Sequence, residues 1–597
     1  MASFPYTDEQ LAIGDAFEAR RGNLKVRALA GTGKTTTLDY LAHMRPNELM
    51  TYVAFNRAIA EYAKTKFPSN VTCNTMHAFA YAVMGERFQH RMNGGRVPTH
   101  RSASIMGLPE RFEFGEFSMR SFQLVGLVNE TVKRFCSSAD AEISGRFVPK
   151  VPGLTTPAAR LALTEFLIPY VERAWEDLTS LDGQLRFDHS VYLKLWGMGN
   201  PVLPGKVILF DEAQDATPLT RNIVEQQNAE LVIVGDSFQQ LYPWMGAIDA
   251  LEYFDVPDGN DLPLRKSFRF GPDIADVANT ILELLGTDLR LEGCGPDSRL
   301  AQLTDPEAVL CRTNSEAVAR LLAAQALGVK AGLVGGTAAV EALAKAALDL
   351  TSGRRTTHPE LLAFDNWGQV CDYVESDSSD ARDLQVLVKL VNRYGAQNIL
   401  TAVQRSVPAA YAHLKISTGH KAKGLEWDSV KLAGDFPPPF DEEGNLRRDE
   451  LMLTYVCVTR AKRFLDPTLV GANYQESPGG GDWLSAAAAD QGRERVIMPA
   501  AEVPERVEVV LEPGADAQVI CDPNDQTKLV FRNTKYDPRL VAAQRELPRR
   551  KYWAEYNGDM KVNTCLASVA ALQVAEQFGL TIAQAARDRV AALVPAV

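Results

Sequence analysis

The run Lys25-Val26-Arg27-Ala28-Leu29-Ala30-Gly31-Thr32-Gly33-Lys34-Thr35-Thr36 decides the fold. Lys25–Leu29 reads as a short apolar strand, and the residues after Lys34 read as a helix. Between them lies a phosphate loop, with Ala28 at the usual first glycine position. Glycines there let backbone N–H groups turn inward around phosphate oxygens. The start of the helix adds the positive end of its dipole. Ala30, Gly31, Thr32, Gly33, Lys34, Thr35 and Thr36 are therefore the candidate nucleotide-binding residues. Lys34 can neutralise the β- and γ-phosphates, and the Thr35 hydroxyl can ligate Mg2+. By itself the pattern also fits a glycine turn between strand and helix.

A second motif narrows the choice. Val207-Ile208-Leu209-Phe210 reads as a buried strand that ends in Asp211-Glu212-Ala213-Gln214-Asp215. An aspartate at a strand end can hold Mg2+, which makes Asp211 a candidate metal ligand beside Thr35. Glu212 can orient and deprotonate an attacking water. Beside a phosphate loop, this arrangement specifies Mg2+-dependent hydrolysis of a nucleoside triphosphate.

Further apolar runs at Glu48–Phe55, Leu231–Val234, Ala308–Arg312 and Ser429–Ala433 predict more strands. Helical patterns lie between them, as at Asn56–Lys66 and Ser315–Ala326. Strands alternating with helices predict an α/β fold on parallel sheets. Residues 85–189 differ: amphipathic helical segments such as Ala158–Leu178 dominate, and they read as a helical insertion. Pro437-Pro438-Pro439 reads as a rigid surface turn, and Ser477-Pro478-Gly479-Gly480-Gly481 as a linker.

Composition sets outer bounds. A chain of 597 residues implies several domains. Its net charge of −12 argues against a protein that coats nucleic acid through overall positive charge, though not against a local basic groove. No apolar run is long enough to predict a membrane span, and the N-terminus lacks a secretory pattern. None of the eight cysteines is spaced C-x-x-C, so reduced thiols are expected. A cytoplasmic protein is the expectation, nucleoid-associated if bacterial and in the host cytoplasm if phage-encoded.

With these motifs in place, the sequence resembles the superfamily 1 helicases of the UvrD/Rep type, near the F-box DNA helicases and their bacterial and phage relatives. The resemblance runs from Tyr6 to Val470 with the motifs in family order. Tyr6-Thr7-Asp8-Glu9-Gln10 is similar to the adenine-reading motif, with Gln10 against the base; taken alone it is a helix start capped by Thr7. Tyr52–Arg57 and Thr72–Phe79 resemble two motifs that touch single-stranded DNA, which implies DNA contacts for Asn56, Thr75 and His77. In Gly235–Ala247 the resemblance makes Gln239 the γ-phosphate sensor and Tyr242 and Trp244 stacking platforms for bases. Packing in the core is the other reading of Trp244. Met245 stands where the family often has arginine.

Leu264–Phe270 resembles the motif that lays Phe268 on the adenine and brings Arg269 to the γ-phosphate. Ser417–Asp428 resembles one in which Glu426 binds ribose while Thr418, His420 and Lys421 face DNA. Tyr455–Ala461 resembles the motif that supplies Arg460 as a second γ-phosphate arginine. Lys34, Glu212, Gln239, Arg269 and Arg460 form the implied catalytic set, with ATP and Mg2+ as the implied cofactors. The implied activity is an ATP-dependent DNA helicase or translocase moving on single-stranded DNA. It would unwind duplex or remodel protein–DNA complexes in replication, recombination or repair. The resemblance to the UvrD group implies 3′→5′ movement. Single-stranded DNA and single-strand/duplex junctions are the implied partners; a monomer is compatible and no membrane is involved.

The implied architecture is two RecA-like P-loop NTPase domains, a helical insertion and a small α+β C-terminal domain. The first domain takes residues 1–84 and 190–270, and the second 271–330 and 395–475. Residues 331–394 are read as a reduced form of the family's 2B insertion, and 476–524 as a linker with an acidic stretch. Residues 525–597 form an accessory module that resembles the HARP-like domain. Lys528–Lys561 carries nine Lys/Arg against four Asp/Glu, with strands at Lys528–Arg532 and Lys551–Tyr556 and helices at Pro538–Leu547 and Leu566–Phe578. Arg545, Arg549, Arg550 and Lys551 interleaved with Phe531, Tyr536, Tyr552 and Trp553 fit DNA binding and fit an ordinary α+β core equally. Two other functions are compatible with parts of the sequence. A nuclease–helicase would need a carboxylate cluster in the C-terminal module, and a DNA-bound ATP switch would bind DNA without unwinding it.

Overall fold

The computed structural model describes residues 6–472, except 93, 95–96, 115–116, 152–153, 155, 242–248, 359 and 376–381, together with Leu484, Val496–Ile497 and five later strands. The chain divides into two units, Met1–Pro499 and Ala500–Val597.

The strand before the phosphate loop, Leu24–Ala28, lies inside a six-stranded sheet. The order is Val71–Thr75, Met50–Ala54, Val207–Phe210, Glu230–Gly235, Leu24–Ala28 and Asp261–Leu264, and every pairing is parallel. Parallel strands are covered on both faces, which explains their unbroken apolar runs. Val207 and Leu209 pack with Ile13, Phe17 and Leu38 on one face. Their neighbours Ile208 and Phe210 enter the other core, among Leu124, Val128 and Val171 of the helical insertion. Side chains alternate across a strand, so one four-residue run ties the sheet to two layers.

The insertion contains the helices Thr99–Met106, Ser121–Ser137 and Pro157–Thr179. It also holds an antiparallel hairpin, Arg111–Phe114 with Phe117–Arg120, which the helical pattern did not show. The hairpin is short, and among its described residues Phe112 and Met119 are buried.

The second sheet has seven parallel strands, ordered Ala331–Leu333, Leu414–Thr418, Ala308–Cys311, Trp427–Leu432, Ala461–Asp466, Arg299–Gln302 and Val496–Ile497. Ala331–Leu333 falls within the stretch read from sequence as an insertion, yet it is an edge strand of this sheet. The helices that follow, including Ala338–Thr351 and Ala396–Gln404, share one core with Val309, Cys311 and Ile416. Leu362 differs from its neighbours: Leu361 and Phe364 enter that core, whereas Leu362 packs into the helical insertion.

Pro437–Pro439 is buried rather than at the surface. Two of its carbonyls meet Arg447: the backbone N–H donates to Pro439 O at 2.8 Å and the guanidinium to Pro438 O at 3.1 Å. A proline carbonyl can be buried when a donor of this kind is supplied.

In the second unit the sheet order is Ala554–Asn557, Met560–Leu566, Lys528–Asn533, Ala517–Cys521 and Thr581–Ile582. The first four pair antiparallel and the last is parallel. The predicted helix Pro538–Leu547 lies outside the described residues, as does the other predicted helix beyond Leu566. So do Tyr536, Arg545, Arg549, Arg550, Lys551, Tyr552 and Trp553. Among the described residues no helix is long and apolar enough to cross a membrane.

Candidate active site

The phosphate loop, the Asp211–Asp215 motif and Asp236 each follow the C-terminal end of a parallel strand, where open α/β sheets collect ligands. Gly31 and Gly33 take φ values of 75° and 81°, the left-handed region that glycine adopts without strain. Space is the second constraint at Gly31. A Cβ there would lie 2.6 Å from Ser267 Oγ and 2.8 Å from Arg269 Cβ. The Phe268 N–H donates to Gly31 O at 2.9 Å, so the loop is held against the Ser267–Arg269 segment. Thr32 Oγ1 donates to Leu29 O at 2.8 Å, which fixes the loop and turns that side chain away from phosphate work.

Gly33 brings the predicted base-binding residues together. A Cβ on it would lie 3.6 Å from Gln10 Nε2, 3.9 Å from Thr36 Cβ and 4.0 Å from Phe268 Cδ2. The Phe268 ring is exposed, as a stacking face must be. Gln10 is already engaged at both ends of its amide. Its Oε1 accepts from the Thr7 N–H at 3.0 Å in a capping box, and its Nε2 donates to Thr37 Oγ1 at 3.0 Å. The capping role given to Thr7 is therefore present, and a base must compete for Gln10.

Lys34 opens the helix Lys34–Met44 and its Nζ lies 2.8 Å from Glu212 Oε2. Asp211 accepts from the Tyr52 hydroxyl at 2.6 Å and from the Glu212 N–H at 2.9 Å. Burial, and then the adjacent Glu212 charge, pushes the Asp211 carboxyl above its ordinary value. Burial would raise Glu212 too, but Lys34 and then Lys423 outweigh it and hold its pKa at about 2. Glu212 has φ 52°, an uncommon conformation for a residue with a side chain. Such strain costs on the order of 1–3 kcal/mol and persists where surroundings enforce it. Here Gln214 does so: its Nε2 donates to Glu212 Oε2 at 2.5 Å and its Oε1 accepts from the Asp236 N–H at 3.0 Å.

The second domain closes the site. Arg460 is buried, donates to Gln239 Oε1 at 3.2 Å and to Val456 O at 2.8 Å, and is pushed down to about 9 by burial and then by the Arg269 charge. Gln239 Nε2 donates to Asp236 Oδ2 at 2.6 Å. Arg269 is held by Glu426 at 2.8 Å and by Thr459 O at 3.0 Å. Glu426, assigned from sequence to the ribose, is thus paired with Arg269, which the resemblance assigns to the γ-phosphate. Sequence reasoning passed over two cross-domain contacts. The Tyr455 hydroxyl accepts from the Ala30 N–H at 3.2 Å, and Lys423 Nζ pairs with Asp215 and donates to Gln239 O at 2.6 Å. Both residues stood inside quoted motifs with no role assigned.

The residues assigned to DNA are placed less uniformly. Asn56 Oδ1 accepts from the Ile59 N–H at 2.9 Å and Thr75 Oγ1 from the Ala78 N–H at 3.1 Å, so both cap helix starts. His77 meets Tyr192 edge-on with ring centroids 6.3 Å apart, and burial holds its imidazole below the ordinary range. Thr418 ends a strand of the second sheet, and His420 and Lys421 sit on the Gly419–Ala422 turn after it. Burial lowers the pKa of both His420 and Lys421. Tyr242, Trp244 and Met245 lie outside the described residues.

Comparison with known proteins places the sequence that builds this site beside a family. A UvrD-like helicase C-terminal domain model matches residues 364–468, and an AAA domain model matches residues 10–244. The chain is 29% identical over 491 residues to F-box DNA helicase protein 1 of Schizosaccharomyces pombe, covering 74% of this chain and 55% of that protein. It is 30% identical over 499 residues to F-box DNA helicase 1 of Gallus gallus, covering 77% and 48%. It is 26% identical over 344 residues to ATP-dependent DNA helicase UvrD2 of Mycobacterium tuberculosis, covering 46% and 48%. The chain thus spans about half the length of the curated relatives it matches. With both domain models placed on the sheets that carry Lys34, Glu212 and Arg460, the chain belongs to the superfamily 1 helicases of the UvrD type.

Proposed function

We propose that the chain is a DNA-dependent ATPase that moves along single-stranded DNA in the 3′→5′ direction and opens duplex at junctions. The observation that carries this reading is the pairing of catalytic groups across the two sheets. Lys34 meets Glu212 at 2.8 Å in the first domain, and Arg460 of the second meets Gln239 of the first at 3.2 Å. A hydrolysis site shared in this way depends on how the two domains sit, which is what a motor requires.

The steps follow from the chain's own groups. Lys34 leaves Glu212 for phosphate oxygens. Glu212 loses its nearest cation, its pKa rises from about 2, and it becomes free to orient water and accept its proton. Gln239 and Arg460, already bonded to each other, face the γ-phosphate together. Phe268 offers a face to the adenine, and Gln10 can exchange one internal partner for the base edge. Thr35 and Asp211 present hard oxygen donors, the donor type that suits Mg2+. They would hold Mg2+, which would supply neutralisation of phosphate charge.

Thr418, His420 and Lys421 from the second domain and Asn56, Thr75 and His77 from the first are the proposed DNA-facing set. Membership of the UvrD type supports the 3′→5′ direction. ATP-driven strand displacement on 3′-tailed and 5′-tailed duplexes tests the proposal. Displacement from the 3′-tailed substrate alone is expected. Displacement from the 5′-tailed substrate alone would refute the direction, and none from either would refute unwinding.

A further inference from the structure

The pair formed by Lys423 with Asp215 lies outside the implied catalytic set, and among the described residues it is a closely enclosed ion pair between the two sheets. The Asp215 side chain is 0% exposed and that of Lys423 12%. Lys423 follows the Gly419–Ala422 turn of the second domain, and Asp215 ends the Asp211–Asp215 motif of the first. Enclosed charge is costly, so a pair held here has a specific geometry to maintain.

Its neighbours show what that geometry controls. Asp215 Oδ1 is buried with no hydrogen-bond partner, so this carboxylate depends on Oδ2. Oδ2 takes the Lys423 ammonium and also lies 3.4 Å from Gln214 Nε2. The same Gln214 Nε2 donates to Glu212 Oε2 at 2.5 Å. One amide therefore stands between two carboxylates, and Lys423 satisfies one of them. Lys423 Nζ also donates to the backbone carbonyl of Gln239 at 2.6 Å. A single ammonium from the second domain thus touches the supports of both Glu212 and Gln239.

We propose that Lys423 is a positioning residue: by holding Asp215 it leaves the Gln214 amide on Glu212, and so makes the aim of Glu212 depend on the second domain. With Lys423 withdrawn, Asp215 draws Gln214 Nε2 toward itself and Glu212 loses its guide. Hydrolysis is then fast only when the second domain is seated. This inference rests on the ATPase reading above and names a further residue for that reaction.

The test uses the full chain with Mg·ATP and saturating oligothymidine. Lys423→Ala is expected to lower kcat about 10- to 100-fold, the cost of a misplaced catalytic group, while KM for ATP stays within about threefold because binding contacts are intact. Lys423→Arg is expected to recover most of kcat. The double variant Lys423→Ala with Asp215→Asn lacks the carboxylate charge that draws Gln214 away, and its kcat is expected to recover well above that of Lys423→Ala alone. Wild-type kcat in Lys423→Ala would overturn the proposal while leaving the ATPase reading intact. A double variant as slow as Lys423→Ala would also overturn it, because competition by the Asp215 carboxylate for Gln214 would then play no part. A wild-type chain without DNA-stimulated turnover would overturn both the ATPase reading and this inference.

Discussion

Replacing Glu212 by Gln separates binding from chemistry. The Glu212 carboxylate is held at about 2 against an ordinary 4.5 by Lys34 and Lys423, in spite of its burial. The carboxylate is therefore held in its charged form beside Lys34 in the nucleotide-free site. Both Lys34 and Glu212 keep some contact with water, at 15% and 20% exposure. Screening leaves about 1 kcal/mol to the pair itself. Nucleotide binding works against that energy, because Lys34 must leave the carboxylate for phosphate. Glu212→Gln removes the opposition and keeps the shape, so affinity for ATP is expected to tighten about fivefold. Turnover is expected to fall by about 10²- to 10⁴-fold with loss of the base. Titration with a fluorescent ATP analogue reads the first effect, and steady-state phosphate release with oligothymidine reads the second. Turnover close to wild type would refute the role of Glu212, and weaker nucleotide binding would refute the competition between carboxylate and phosphate for Lys34.

Three further outcomes follow from the same geometry. Gly31→Ala places a Cβ 2.6 Å from Ser267 Oγ at φ 75° and is expected to abolish nucleotide binding, seen as loss of fluorescent-nucleotide titration in a chain with a native circular dichroism spectrum. Tyr455→Phe leaves the buried Ala30 N–H without its acceptor and is expected to lower stability by about 1–3 kcal/mol in urea unfolding. Asp435 is pushed up to about 6 by burial, against donation from Arg312 and Thr313, so the folded chain holds this proton to higher pH than the unfolded chain. Its contribution is largest below the ordinary carboxylate pKa and is lost as pH rises through 6. The fall in melting temperature between pH 5 and pH 7.5 should therefore be smaller in Asp435→Asn than in wild type.

The two sheets were legible because strands covered on both faces leave unbroken apolar runs. Met50–Ala54 and Val207–Phe210 are buried at every position, and each ends beside a residue whose chemistry is plain. The hairpin at Arg111–Arg120 was not legible, since two four-residue strands carry too little periodicity. Pro437–Pro439 read as surface because proline usually marks a turn, whereas here Arg447 supplies the donors that allow burial. Gln10 shows how a local pattern can prevail: Thr7 lies three residues away, and the capping box holds the amide oxygen assigned to adenine. The cross-domain contacts left no pattern at all. Tyr455 meets Ala30 across 425 positions and Lys423 meets Asp215 across 208, so only the folded chain brings them together.

Under the proposed function, hydrolysis at Lys34, Glu212 and Arg460 is coupled to DNA held by both domains. Steady-state ATP hydrolysis by the full chain, measured with and without oligothymidine, tests it most directly. Turnover is expected to be slow alone and strongly stimulated by single-stranded DNA, and that stimulation is expected to be lost in Arg460→Ala. Equal turnover with and without DNA, or full stimulation in Arg460→Ala, would contradict it.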